Sequence, residues 1–218
     1  MLEFPEAPLP PAEFMERWLP EAFAELTLPE GADAHDVRLG VRLEGEGGGE
    51  WVMQVAGGRL AVRAESRNEA GFSVVQSVVD WRGALWEGRG GAIGQGAAIL
   101  FRPGARAALG EAGGSASLPS LAALEPLRSL DGLLRVVVTG GEGGDWAVAA
   151  KLGPGSIPEE PTTSLTLSAE DASAMAQGEL NPLEAFMAGR IQLAGDMALM
   201  MQIQAALMQA AASRSAGG

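Results

Sequence analysis

The side chains that most often do chemistry are scarce in this 218-residue sequence: it has no cysteine and a single histidine, His35. A disulfide, a thiolate nucleophile, a Cys-ligated metal and a His-based metal cluster are thereby excluded. There is no G-x-S-x-G, so a Ser-His-Asp triad would have to recruit His35 from a polar stretch. Gly94-Gln95-Gly96 starts like a dinucleotide-binding turn, but Ile99 stands where the third glycine belongs. The acid pairs Glu159-Glu160 and Glu170-Asp171 read as solvated or helix-capping groups. No catalytic residue, metal-ligand set or cofactor site emerges, and the expectation is a protein that binds rather than reacts.

Apolar side chains are the richer signal. The last third of the chain gathers Met175, Leu180, Phe186, Met187, Ile191 and Leu193, followed by Met197, Met200, Ile203 and Leu207 on one helical run. These ten are the candidate ligand-binding residues, because flexible thioethers and aliphatic chains repack around ligands of different shape. The same residues serve equally well as ordinary core or as a dimer face, so a lipid site and a protein-protein assembly module with a filled core both stand. Arg190 and Asp196 are placed to meet a lipid headgroup, or to act as a surface charge and a helix cap. A net charge of -13 repels polyphosphate and anionic headgroups, so nucleic acid is not an expected partner.

Local patterns indicate how these residues are held. Residues 11–26 place Phe14, Trp18, Ala22 and Leu26 on one stripe of a helix interrupted near Pro20. Val37, Leu39, Val41 and Leu43 alternate as a strand, and 51–55 and 59–65 continue an antiparallel meander. Residues 72–86 start as a strand and finish as a helix. GRGGAIGQG then reads as loop, and AAILF as a short strand. A boundary falls at 111–120, dividing the chain into 1–110, a linker and 121–218. After it come a helix-like LAALEPLRSLDG and two strands, LLRVVVTG and WAVAAKLG.

The C-terminal signals are sharper. Leu165 and Leu167 belong to a strand, Ser168 with Asp171 starts a helix that Gly178 ends, and Asn181-Pro182 starts another that closes at Gly189. RIQLAG reads as a strand, and Asp196 caps a last helix to about Ala212. The longest apolar run, Met197 to Ala212, covers 16 residues, short of the roughly 20 needed to cross a bilayer. The first twenty residues lack the basic start of a secretory signal, so a cytoplasmic location is expected. Arginine almost to the exclusion of lysine, with Lys151 alone, fits a GC-rich bacterial coding bias.

The two parts also correspond. A shift of 95 places Val41–Trp51 on Val136–Trp146, and a shift of 91 places Ser77 on Ser168 and Asp80 on Asp171. An internal duplication is the expectation, chance alignment of glycine-rich hairpins its alternative.

Finally, LTLSAEDASAMAQGELNPLEAFMAGRIQLAGDMALMMQI resembles the signature half of the sterol carrier protein family, the type-2 sterol-binding domain, through G-x-L-N-P-x-x-A-F-M-x-G and G-D-M. The resemblance covers about 118–212, and 11–109 more weakly through the repeat. It implies an α+β fold in which a mixed five-stranded sheet carries helices over one face, here in two pseudo-repeated halves. It also implies an apolar tunnel that carries a fatty acid, an acyl chain or acyl-CoA, or a sterol-like lipid, without catalysis. The first half lacks a counterpart of the NPLEAFMAG helix, so no tunnel is expected there. The chain ends SAGG, without the peroxisomal signal of some relatives.

Overall fold

The computed structural model describes residues 3–26, 37–102 and 127–216. His35, the boundary at 111–120 and the first residues of LAALEPLRSLDG lie outside them; Leu127–Ser129 form a single 3-10 turn. The strands are β1 (Val37–Glu44), β2 (Gly49–Ala56), β3 (Arg59–Arg63), β4 (Phe72–Ser77), β5 (Gly132–Thr139), β6 (Trp146–Leu152), β7 (Thr163–Ser168) and β8 (Ile191–Gly195). The helices are α1 (Pro11–Glu13, Phe14–Trp18 and Leu19–Ala24 in succession), α2 (Val78–Trp86), α3 (Gly91–Ala98), α4 (Ala169–Ala176), α5 (Pro182–Met187) and α6 (Met197–Ala216).

All eight strands form one sheet in the order β3-β2-β1-β4-β6-β5-β7-β8. The expected five-stranded sheet is therefore too small. Its extension comes from β4 and β6, which pair antiparallel from Phe72↔Leu152 to Val75↔Ala149. This seam joins what would be two open edges, each with a row of unpaired backbone groups.

Both sides of the seam are wired alike. A hairpin (β1–β2, β5–β6) is followed by a third strand parallel to the first and on its other side (β4, β7). That strand passes directly into a serine-capped helix: Ser77 Oγ accepts from the Asp80 N–H at 2.9 Å, and Ser168 Oγ from the Asp171 N–H at 3.0 Å. The parallel registers Glu44↔Ser77 and Thr139↔Ser168 match at shifts of 95 and 91. The hairpins differ by two residues, Val41↔Trp51 against Val138↔Trp146. An even offset leaves every side chain on its own face.

Two expectations give way to tertiary packing. AAILF is not a strand: it spans the end of α3 and a 3-10 turn, Ile99–Phe101. Glycines lower helix propensity by about 1 kcal/mol each relative to alanine, and the one that caps this helix allows a close contact. A Cβ on Gly90, which is left-handed at φ +80°, would strike the Trp146 ring. In α1 the disturbance falls just before Pro20, as a π-turn at Phe14–Trp18 with a bond from the Leu19 N–H to the Phe14 carbonyl. The turn buries Phe14, Met15 and Leu19 together.

One sheet face carries the helices. Its main core unites Leu39, Val41, Trp51, Val74, Val138, Trp146 and Leu167 with side chains of α1 to α4. A smaller core on the same face holds Leu127, Leu152, Leu199 and Ile203 beneath α6. The other face bears Arg38, Arg42, Arg63, Arg135 and Gln192, with buried Lys151 at the seam. Lys151 Nζ donates to Asp131 Oδ1 (2.8 Å) and to the carbonyls of Leu152 (2.6 Å), Gly153 (3.2 Å) and Pro154 (3.2 Å). The Lys151 hydrogen bond and then its charge hold the exposed Asp131 carboxyl below the usual carboxylate range.

Candidate functional site

The two cores share a sheet face and both touch Phe72, and the register shows what lies between them farther along the sheet. Across β6-β5-β7-β8, Trp146, Val138, Leu167 and Ile191 form one row. The first three are buried under the helices. Trp146 Nε1 donates to the Asp80 carbonyl at 2.8 Å. Two residues along each strand comes Val148–Val136–Leu165–Leu193, and then Ala150–Leu134–Thr163–Gly195. Thr163 in this third row is buried, and its Oγ1 donates to the Asp196 carbonyl at 2.6 Å. Beyond it α6 closes down on the sheet, where a Cβ on Gly132 would lie 2.8 Å from Leu199 Cδ2.

All four residues of the middle row are half-buried. Val136 and Val148 touch the main core, while Leu165 and Leu193 belong to neither core. The row forms an aliphatic floor about 14 Å long, three strand spacings, lying between rows about 13 Å apart along the strands. No charged side chain belongs to it.

Corresponding positions left of the seam are closed. Leu39, Val41 and Val74 match Leu134, Val136 and Leu165 through the parallel registers, and Met53 matches Val148 by the shift of 95, although it pairs with Leu39 rather than Val41; Leu134 lies one row beyond the floor, and Leu193 has no counterpart among the described residues. Leu39, Val41, Met53 and Val74 are 3%, 0%, 7% and 4% exposed, and their four matches are all half-buried.

The ten predicted residues divide among several surroundings. Ile191 and Leu193 lie on the floor face, Met175 packs against the main core, and Met200 and Ile203 belong to the core under α6. Leu180 is half-buried just past α4, its N–H bonded to the Ala174 carbonyl. Phe186, Met187 and Met197 are exposed, Met187 to 77%. Leu207 is on α6, with its side chain outside the described residues. Sequence reading assigned Val136, Val148 and Leu165 only to strands, since alternation reveals a face but not whether anything covers it.

The polar candidates have local partners. Arg190 pairs with Asp171, and Asp196 Oδ1 accepts from the Ala198 N–H at 2.7 Å as the cap of α6. A separate hollow of about 360 Å³ at the β1–β2 turn is lined by Arg42, Leu43, Glu44, Gly45, Gly49 and Glu50. Its charged walls, with Arg42 paired to Glu44 and Glu50, do not suit an alkyl chain. Among the described residues, no three His, Cys, Asp or Glu are grouped to hold a metal, and no helix is long and apolar enough to cross a membrane.

Among the comparisons with known proteins, the family model spans the residues of the floor. The family model described as the SCP-2 sterol transfer family matches residues 115–208. Hydroxysteroid dehydrogenase-like protein 2 of Xenopus tropicalis is 30% identical over 98 residues, 43% of this chain and 24% of that protein. Sterol carrier protein 2 of Rattus norvegicus is 30% identical over 92 residues, 39% of this chain and 17% of that protein. The chain thus spans about a quarter or less of these curated relatives. Among solved structures, the sterol carrier protein domain 2 of Helicoverpa armigera is 28% identical, with 41% of this chain and 74% of that one covered and a TM-score of 0.31. Sterol Carrier Protein 2 from Yarrowia lipolytica, in its apo form, is 18% identical, with 33% and 68% covered and a TM-score of 0.27. Residues 115–208 of this chain thus carry the match to the model of the SCP-2 sterol transfer family.

Proposed function

We propose that the chain is a non-catalytic lipid carrier. Its cargo is one fatty acid, acyl chain or sterol-like molecule, held over the Val148–Val136–Leu165–Leu193 floor between the main core and α6. The observation that carries this reading is the half-buried row itself: four aliphatic side chains in register between the two cores, where Val41, Met53 and Val74, the matches of its first three across the seam, are sealed. Burying an alkyl chain there contributes about 0.8 kcal/mol per CH₂, and the adaptable Met200 flanks the site. The match of residues 115–208 to the SCP-2 sterol transfer family model supports this reading.

Native mass spectrometry of the purified protein, followed by titration with a fluorescent fatty acid against unlabelled competitor, tests the reading. Saturable, competable binding is expected, weakened roughly tenfold, or about 1.4 kcal/mol, by Leu165→Trp or Met200→Trp, which fill the space. A bare mass with no saturable signal overturns it. Unchanged affinity in both variants moves the ligand away from this floor.

A further inference from the structure

The floor does not stop at Val148. On β4, Phe72 and Val74 pack into the cores on the helix-covered face, and alternation sets Gln76 on that face too. Gln76 is 4% exposed and lies beside buried Leu43 in the parallel register. One step beyond Val75↔Ala149 in the antiparallel register, it lies beside Val148. Gln76 therefore stands at the seam end of the row Val148–Val136–Leu165–Leu193, four strand spacings or about 19 Å from Leu193.

Its amide is only partly satisfied. Nε2 donates to the Ala147 carbonyl at 3.1 Å, just past the last paired residues of the seam. A glutamine amide offers two donors and an oxygen with two lone pairs, and among the described residues nothing donates to Oε1. The enclosed side-chain atoms without a partner among those residues are the Trp81 indole nitrogen and the Nε of four arginines. Gln76 Oε1, partnerless as well, is therefore open at its surface. The shift of 91 that matches Ser77 with Ser168 sets Gln76 on Leu167, also 4% exposed. Leucine fills this strand position in the other half, so the shared wiring does not call for an amide. The bond to Ala147 accounts for Nε2 and leaves Oε1 unexplained.

We propose that Gln76 is a specificity-determining residue of the floor, its Oε1 accepting a hydrogen bond from a hydroxyl at the end of the cargo. This rests on the lipid-carrier reading and narrows it to a long-chain alcohol or another hydroxyl-ended lipid, in preference to an ionised fatty acid. An acceptor oxygen requires a donor, and an ionised carboxylate has none. The row supplies no cation, and Lys151 and Arg190 are held by Asp131 and Asp171. A carboxylate at this end would be buried without a counter-charge, which costs far more than a bonded hydroxyl. Gln76 also lies outside residues 115–208. The closed left half thus completes the site of the right.

Displacement of a fluorescent fatty acid by 1-hexadecanol, its methyl ether and hexadecanoate at neutral pH tests the assignment. In wild type the alcohol should compete roughly tenfold better than the ether, which keeps the chain but lacks the donor of one hydrogen bond. Hexadecanoate should compete less well than the alcohol. Gln76→Leu should bring the ratio of alcohol to ether close to one, whereas a role confined to the seam would lower the melting temperature without moving that ratio. Equal competition by alcohol and ether in wild type overturns the inference, as does a ratio that survives Gln76→Leu, or hexadecanoate competing best. A probe that never saturates removes the lipid reading itself, while saturable binding without the ratio removes only the role of Gln76. Should Gln76→Leu fail to fold, the wild-type ratios decide alone.

Discussion

Left and right of the β4–β6 seam the chain solves the same backbone problem with opposite interiors. On the left, Phe14 stacks on Trp18 at 4.8 Å and meets Trp81 edge-on at 5.1 Å, while Trp86 packs on Trp81 at 5.5 Å and on Phe4 at 5.2 Å. Polar handles fasten these rings: Trp86 Nε1 donates to the Pro5 carbonyl and Trp51 Nε1 to Glu16, both at 2.8 Å. On the right, smaller aliphatic residues occupy the matched floor, and the covering helices stand apart as two cores. The wiring of a half therefore does not decide how tightly its interior is packed. The side chains brought by the covering helices do.

The largest contrast is expected from removing the keystone of the filled half. Phe14→Ala empties a ring-sized volume shared by Phe4, Trp18, Trp81 and Trp86, and should cost about 3–5 kcal/mol, read as a lower midpoint in urea. A loss below about 1 kcal/mol would mean that the left half is not the tightly packed one.

Next in size is the seam. Lys151→Met keeps the apolar stem but leaves the carbonyls of Leu152, Gly153 and Pro154 without their donor, at a cost of about 1–3 kcal/mol. Asp131 adds a pH signature, because its folded pKa lies below the unfolded value. Its contribution is present above the unfolded carboxylate range, near pH 4, and is lost as pH falls through the lowered folded value. The gap between wild type and Lys151→Met should therefore narrow in acid without closing. A gap that widens below pH 4 would break this account of the ion pair.

How much of this was legible in the sequence follows from what periodicity encodes. Alternation of Val37, Leu39, Val41 and Leu43, and of Ile191 and Leu193, identified strands and inward faces, since both depend on local geometry. The caps at Ser168, Asn181 and Asp196 were equally visible, each bond closing within three residues. The eight-stranded sheet was not, because Phe72 and Leu152 meet across 80 residues with no shared local pattern. Helix α3 was hidden by its glycines, which lower helix propensity, and the Gly90 that caps it answers to Trp146, a long-range contact. Of the proposed floor, Leu193 was among the residues named from the sequence, but Leu165 looks no different from buried Leu167 until the covering helices are in place. On α6 the sequence offers one broad methionine-rich run, and only its docking separates Met200 from Met197 and Met201.

A matched pair of truncations sharpens the comparison at single residues. Val74→Ala opens a void in the sealed row and should cost about 2 kcal/mol. Leu165→Ala removes more atoms but from a half-buried position, and should cost about 1 kcal/mol or less in ligand-free protein. Equal losses would mean that Leu165 is sealed as well and the floor is closed. Saturating fatty acid should protect wild type by about 2.7 kcal/mol at a hundredfold excess over Kd, and Leu165→Ala by less, with Val74→Ala protected as wild type is.

The smallest effect tests the shared wiring. Ser77 and Ser168 each cap a helix that leaves its strand without a loop, so each change to alanine should cost about 1 kcal/mol. The two should not be identical, because Ser77 Oγ also donates to Asp80 Oδ2 at 2.8 Å. Each acid keeps an ion pair, Asp80 with Arg89 at 3.8 Å and Asp171 with Arg190, so Ser77→Ala removes two bonds from its turn and Ser168→Ala one. Thermal unfolding of the two variants should show the larger loss in the left half. The reverse order would mean that the Arg190 pair depends on the Ser168 cap, and that the right-hand turn, beside the open floor, is the more tightly coupled of the two.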